Sequence, residues 1–217
     1  MSLKLKVSNI TKQYDGVPVL KGVSLSFEDS GIYVLMGDNG SGKSTLLRIC
    51  ALLEVPDNGS AVYETGGIPA LPDIQLKRRI TLVLPGVGVF NTSVLQNVLY
   101  GLNIRGMGRH EALNKAEAAI EYVGLVHKKD QNALTLSSGE TRRLGLARAL
   151  AIEPEILFLD EPAAFVDSKN REIIEEIILN VGKERHRTVI MTTHNRERAE
   201  RLSERVFFLE NGNLRPV

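Results

Sequence analysis

Residues 37–45 read GDNGSGKST, and the order of types suits a polyphosphate. Gly37, the four residues Asp38, Asn39, Gly40 and Ser41, then Gly42, Lys43 and Ser44 match the P-loop pattern in full, with Thr45 next. Glycines let backbone amides converge on phosphate oxygens, Lys43 adds a point charge, and the Ser44 hydroxyl suits Mg²⁺. Further on, EILFLDEP (155–162) ends a buried-strand pattern in two acids. Asp160 at a strand's C-terminal end suits the metal's water shell, and Glu161 suits a general base acting on water. Taken alone, such a pair is more often a solvated strand end; the upstream P-loop shifts that balance. His194 closes TVIMTTH, where a hydrogen bond to a γ-phosphate is within its chemistry.

A second, weaker cradle stands at Leu136, Ser137, Ser138, Gly139 and Glu140 (LSSGE). A hydroxyl and a glycine opening a helix can bind an anion, because first-turn amides are unpaired. The same letters also spell a plain capping box, Ser137 with Glu140 three residues on, and both readings can hold together.

The elements that must carry these groups follow from hydrophobic period. Leu3, Leu5 and Val7, then Val17 to Leu20, then Val23, Leu25 and Phe27 predict an antiparallel β layer, with Asp15 and Gly16 as a turn. IYVLM (32–36) predicts a buried strand and STLLRICALLE (44–54) a helix, the surroundings a P-loop needs. A short β region is expected near 61–63, and RRITLVL (78–84), EILFLD, TVIMTTH and RVFFLENG predict four more strands. Residues 85–150 read as helix, with Leu113, Ala116, Ile120 and Val123 on one stripe, and Ile173, Ile174, Ile177, Ile178 and Val181 mark a later helix. The fold class is therefore α/β: a P-loop core of parallel sheet and helices over 1–84 and 151–217, an N-terminal antiparallel layer, and an inserted helical lobe over 85–150, all in one domain of 217 residues.

Composition removes several function classes. Lys and Arg number 27 against 26 for Asp and Glu, so no basic excess argues for nucleic acid. The single cysteine, Cys50, excludes an intrachain disulfide, fits a reducing compartment, and reads first as a small buried apolar group. No apolar run approaches the roughly 20 residues of a membrane helix and no signal-peptide pattern opens the chain, so a soluble protein is expected.

GDNGSGKST, LSSGE, and LFLDEP followed by AAFVD and His194, in that order and with a helical lobe between the first two, resemble the ATP-binding subunit of an ATP-binding cassette (ABC) transporter of prokaryotic importer type. The resemblance covers essentially the whole chain. It implies ATP and Mg²⁺, two copies packed head to tail, and each ATP held between one copy's P-loop and the other's LSSGE. It also implies that Tyr14 stacks on adenine, that Asp167 is the D-loop aspartate linking the two sites, and that Lys43, Glu161 and His194 are catalytic. Separate membrane-spanning subunits, a solute-binding protein for an importer, and a place on the cytoplasmic face of the membrane follow from it. The solute is not written in the chain, although an oxyanion is the importer-like expectation. Ser138 stands where the family usually has glycine, and Glu140 where glutamine is common. Pro85 is the larger departure, because after the strand ITLVL the family normally has a glutamine that contacts the metal and the attacking water, and neither Gln75 nor Gln96 can reach that register. Proline offers no side-chain ligand. Three alternatives stand beside a transport ATPase: a nucleotide-gated module with weak hydrolysis, a non-transport ABC ATPase, and a small-molecule kinase, which would leave LSSGE without a role.

Overall fold

The computed structural model describes residues 2–203 and 205–216. The chain divides into two compact units, Met1–Leu82 with Glu155–Glu161 and Leu179–Val217, and Val83–Pro154 with Pro162–Ile178.

The first unit begins with β1 (Leu3–Tyr14) and β2 (Val17–Phe27), paired antiparallel across a turn at Asp15 and Gly16. β4 (Asn58–Thr65) pairs on the other side of β1, and the short β5 (Ile68–Pro69) follows it, giving the order β2-β1-β4-β5. The predicted layer is thus present, and its alternation is visible in the burial of Leu3, Leu5 and Val7. β3 (Gly31–Met36) is central in a second sheet with β6 (Ile80–Val83), β7 (Ile156–Leu159), β8 (Thr188–Thr193), β9 (Val206–Glu210) and β10 (Asn213–Pro216). Its order is β10-β9-β3-β8-β7-β6, with β3 parallel to β8 and β9, and β7 parallel to β8. Strands buried on both faces explain the unbroken apolar runs IYVLM, ILFL and VIM.

Helix α1 (Lys43–Cys50) buries Leu46, Leu47 and Ile49 in one core with Leu5, Leu35 and Phe158. Burial of each such side chain contributes about 1.5–3 kcal/mol. The helix stops earlier than its apolar letters predict, because Leu52 turns into a left-handed conformation at φ 58°. Cys50 is buried and its thiol is pushed up to about 12 by that burial, so it packs rather than reacts. Arg78 and Arg79, read as strand, belong instead to α2 (Ile74–Arg79), which Asp73 caps through the amides of Gln75 and Leu76. Sequence reading also missed β10. Asn211 (φ 50°) and Gly212 (φ 78°) form a two-residue hairpin turn, the strongest short-range signal for one.

The second unit is helical. It holds α3 (Val94–Ile104), α4 (Arg109–Tyr122), α5 (Ser138–Ala151) and the first part of α6 (Ser168–Gly182). The buried stripe of α4 is Ala112, Ala116, Ala119 and Ile120, continuing to Val123, while Leu113 lies at its solvent edge. The Arg143 guanidinium of α5 donates to the carbonyls of Val123 and Gly124 and so closes the end of α4. Fully buried Asn97 binds both the amide and the carbonyl of Phe90, which fixes the loop that follows Pro85. Within that loop Val87 packs on Gly145, and Phe90 lies near the surface against Tyr100 and Arg148, while Val94 at the start of α3 is core. The last helix, α7 (Arg196–Leu202), belongs to the first unit and is capped by Asn195.

Candidate functional site: a phosphate loop and a signature helix

The P-loop links β3 to α1. Gly37 has φ 154°, and a Cβ there would meet the Leu209 carbonyl at 2.2 Å; Gly42 has φ 102°, with Val19 and Leu20 against the same position. The chain can pass only with glycine at these two points. The result is a helix start with no side-chain cap, leaving the first-turn amides for an anion. Lys43 is buried and donates to the carbonyls of Gly37 (2.7 Å) and Asp38 (2.8 Å), which folds its ammonium back over the loop. Burial pushes its pKa down, and Glu161, Asp160 and Asp38 oppose that shift, so these acids face it. Ser41 Oγ is buried without a partner, and Ser44 is half-buried at the helix start. A cleft of about 430 Å³ opens beside the loop, lined by Val17, Val19, Asp38, Asn39 and the Asn211–Gly212 turn.

Asp160 follows β7 and is 2% exposed; Glu161 follows with φ 48°, a left-handed conformation that a non-glycine residue rarely adopts. One carboxylate oxygen of Glu161 lies 3.1 Å from His194 Nδ1, and the other is buried with no partner. Thr192, a residue the sequence reading passed over, donates to Asp160 Oδ1 (2.8 Å) and accepts from the Glu161 amide (2.9 Å). Its signal was a hydroxyl directly after the apolar run Val189–Ile190–Met191. Tyr14 lies beside Thr45, bonded through its hydroxyl to Glu54, with Lys12 5.5 Å over its ring. Thus the first unit gathers Tyr14, the loop, Asp160, Glu161 and His194.

LSSGE and Asp167 belong to the second unit. Ser137 caps α5 in a complete capping box: its Oγ accepts from the Glu140 amide, and the Glu140 carboxylate accepts from the Ser137 amide at 2.8 Å. That amide holds the Glu140 carboxyl below its ordinary range. Leu136 precedes the cap, and Ser138 opens the helix. Gly139 admits no side chain, because a Cβ would lie 2.2 Å from Asn170. Asn170 in turn gives its backbone and side-chain N–H groups to Asp167 at 3.0 and 2.7 Å, holding that carboxyl low as well. The signature glycine and Asp167 are therefore joined through one asparagine, a link that spacing alone did not disclose.

The sequence pattern of the family described as ABC transporter matches residues 20–164. The chain belongs to this family. It is 35% identical over 212 residues to the tungstate uptake system ATP-binding protein TupC of Peptoclostridium acidaminophilum, covering 98% of this chain and 97% of that one. It is also 35% identical to the phosphate import ATP-binding protein PstB 2 of Lactiplantibacillus plantarum, covering 99% and 89%. Among solved structures, the dimeric post-hydrolysis state of the ATP-binding cassette MJ0796 bound to ADP and Pi superposes with a TM-score of 0.85 at 28% identity, over 98% of both chains. CbiO1 from Clostridium perfringens, part of a cbiONQ transporter complex, gives the same score over 97% of this chain and 86% of that one. The α/β cassette fold expected from the motifs is the fold found. As an ABC transporter subunit this chain binds and hydrolyses ATP, dimerises on it, and powers solute transport through membrane partners; no helix among the described residues is long and apolar enough to cross a membrane.

The residues present fit the nucleotide: an uncapped helix start, an orphaned Ser41 hydroxyl and a buried ammonium are what a polyphosphate would satisfy. Among the described residues no three His, Cys, Asp or Glu could hold a metal by themselves.

Proposed function

We propose that the first unit carries one half of an MgATP site and that the second unit's LSSGE completes the site of a second copy. Tyr14 stacks on the adenine and Gly37 to Thr45 wrap the phosphates; Ser44 and Asp160 would hold Mg²⁺, which would supply charge neutralisation on the phosphates. Glu161 acts as the general base. Water oxygen bonds to the γ-phosphorus, the bond to the bridging oxygen breaks toward ADP, and the water's proton passes to Glu161. His194 lies against the Glu161 carboxylate through Nδ1 and donates toward the γ-phosphate through Nε2–H. Across the dimer, Ser137 gives its hydroxyl proton to the partner nucleotide's γ-phosphate, aided by the amides at Ser138 and Gly139 and the α5 dipole. Asp167 reports one site's state to the other.

The observation that carries this reading is Glu161. One of its oxygens is tied to His194 and the other is buried without a partner, in a strained residue directly after Asp160. For the solute we propose a tetrahedral oxyanion. The relatives named for tungstate and phosphate, each 35% identical, support it. The membrane subunits and a solute-binding protein would select the anion, with this subunit on their cytoplasmic side.

The deciding experiment is the solution mass of Glu161→Gln with and without MgATP, beside the wild-type ATPase rate. An ATP-dependent dimer with wild-type turnover is expected. A Glu161→Gln variant that hydrolyses at the wild-type rate removes the base assignment. The weakly hydrolysing module rests on Pro85; it gains support only if the dimer forms without wild-type turnover in the presence of the membrane partner.

A further inference from the structure

We infer that Thr192 is a positioning residue for hydrolysis: its single hydroxyl ties the Asp160 carboxylate to the Glu161 backbone and so sets the two acids relative to one another. This rests on the roles proposed above for Asp160 and Glu161.

Thr192 is fully buried in β8, where its predecessors Val189, Ile190 and Met191 are apolar and buried. An apolar residue of the same shape would satisfy the strand, and a hydroxyl there is unfavourable unless bonded. This one is bonded twice, with a direction. Its only proton goes to Asp160 Oδ1 at 2.8 Å, so a lone pair receives the Glu161 N–H at 2.9 Å. The chain of donors runs from Glu161 N–H through Thr192 Oγ1 to a charged acceptor, which strengthens each bond in a dry site. Asp160 is thereby held by its side chain and Glu161 by its main chain.

The second bond bears on strain. Glu161 lies at φ 48°, a conformation that persists only when neighbours enforce it. Thr192 supplies that enforcement at the amide, and His194 holds the other end at the carboxylate. Next along the strand, Thr193 acts elsewhere, since its Oγ1 accepts from the Asn195 amide at 3.2 Å and shapes the turn after His194. The two threonines of TTH therefore serve the acids and the turn separately.

The test compares Thr192→Val, which keeps shape and removes the hydroxyl, with Thr192→Ser, which keeps the hydroxyl, and with Glu161→Gln. Turnover and KM are measured together with the affinity for a fluorescent ATP analogue in Mg²⁺ and in EDTA, and with thermal unfolding. Thr192→Val should lose about tenfold or more in kcat. It should bind nucleotide normally in EDTA and lose part of the gain in affinity that Mg²⁺ confers. Thr192→Ser should recover most of both. Wild-type kcat and Mg²⁺ gain in Thr192→Val, while Glu161→Gln is inactive, would overturn the role of Thr192 and leave the base intact. A fully active Glu161→Gln would instead remove the reading beneath it. If Thr192→Val shows no cooperative unfolding transition, Thr192→Ala carries the same comparison; equal loss of nucleotide affinity with and without Mg²⁺ would make the hydroxyl merely structural.

Discussion

Two helix N-termini in this molecule carry the phosphate roles proposed above, and they differ in how far they satisfy themselves. α1 has no side-chain cap, and Ser41 Oγ nearby is buried without a partner. α5 is closed by a reciprocal capping box between Ser137 and Glu140. The first leaves its amides to the ligand's phosphates. The second is satisfied without a ligand, which under the proposed dimer would suit a contact that forms and breaks each turnover.

That contrast can be broken, largest effect first. Glu161→Gln should cut kcat by about 10²- to 10⁴-fold with ATP affinity retained, read by steady-state turnover and nucleotide titration. Lys43→Ala should weaken ATP binding by about 30- to 160-fold, the loss of about 2–3 kcal/mol expected for hydrogen bonds to a charged group, measured by equilibrium titration. Gly139→Ala forces a Cβ into Asn170 and should destabilise the second unit by about 1–3 kcal/mol in denaturant unfolding. Asn170→Ala in the same chain should recover part of that loss. Smallest is Glu140→Gln, which keeps an acceptor for the cap but not its charge, at a cost of about 1 kcal/mol. The folded-state pKa of Glu140 is lowered, so its contribution is present above the ordinary glutamate range and lost as pH falls through the depressed value. The variant and wild type should therefore differ in unfolding free energy at neutral pH and converge in acid. A difference independent of pH would mean that the box acts through shape alone.

Particular residues show how legible the molecule was. The P-loop, LSSGE and LFLDEP were readable because each needs a fixed order of types within a few residues, and the antiparallel layer because its alternation is local. Leu113 was placed on the buried stripe although Ala112 occupies it, since a one-residue offset is only 100° on a helix and letters weight leucine over alanine. Arg78 and Arg79 were placed in a strand because the cap at Asp73 was overlooked. Tyr14 could be named only by resemblance, and its place beside Thr45 joins residues far apart in the chain.

What the sequence determined alone is therefore chemical kind and local form: a phosphate-binding loop, a self-capped signature helix, an acidic strand end, and strands and helices in order. Tertiary structure decided which groups share a bond. Pairing of β7 with β8 brings the ends of two distant segments side by side, so that Thr192 can reach both Asp160 and Glu161. Helix packing presses Asn170 on Gly139 and ties it to Asp167. Such contacts depend on sheet order and helix packing, which are collective properties of the fold, whereas a motif depends only on spacing along the chain.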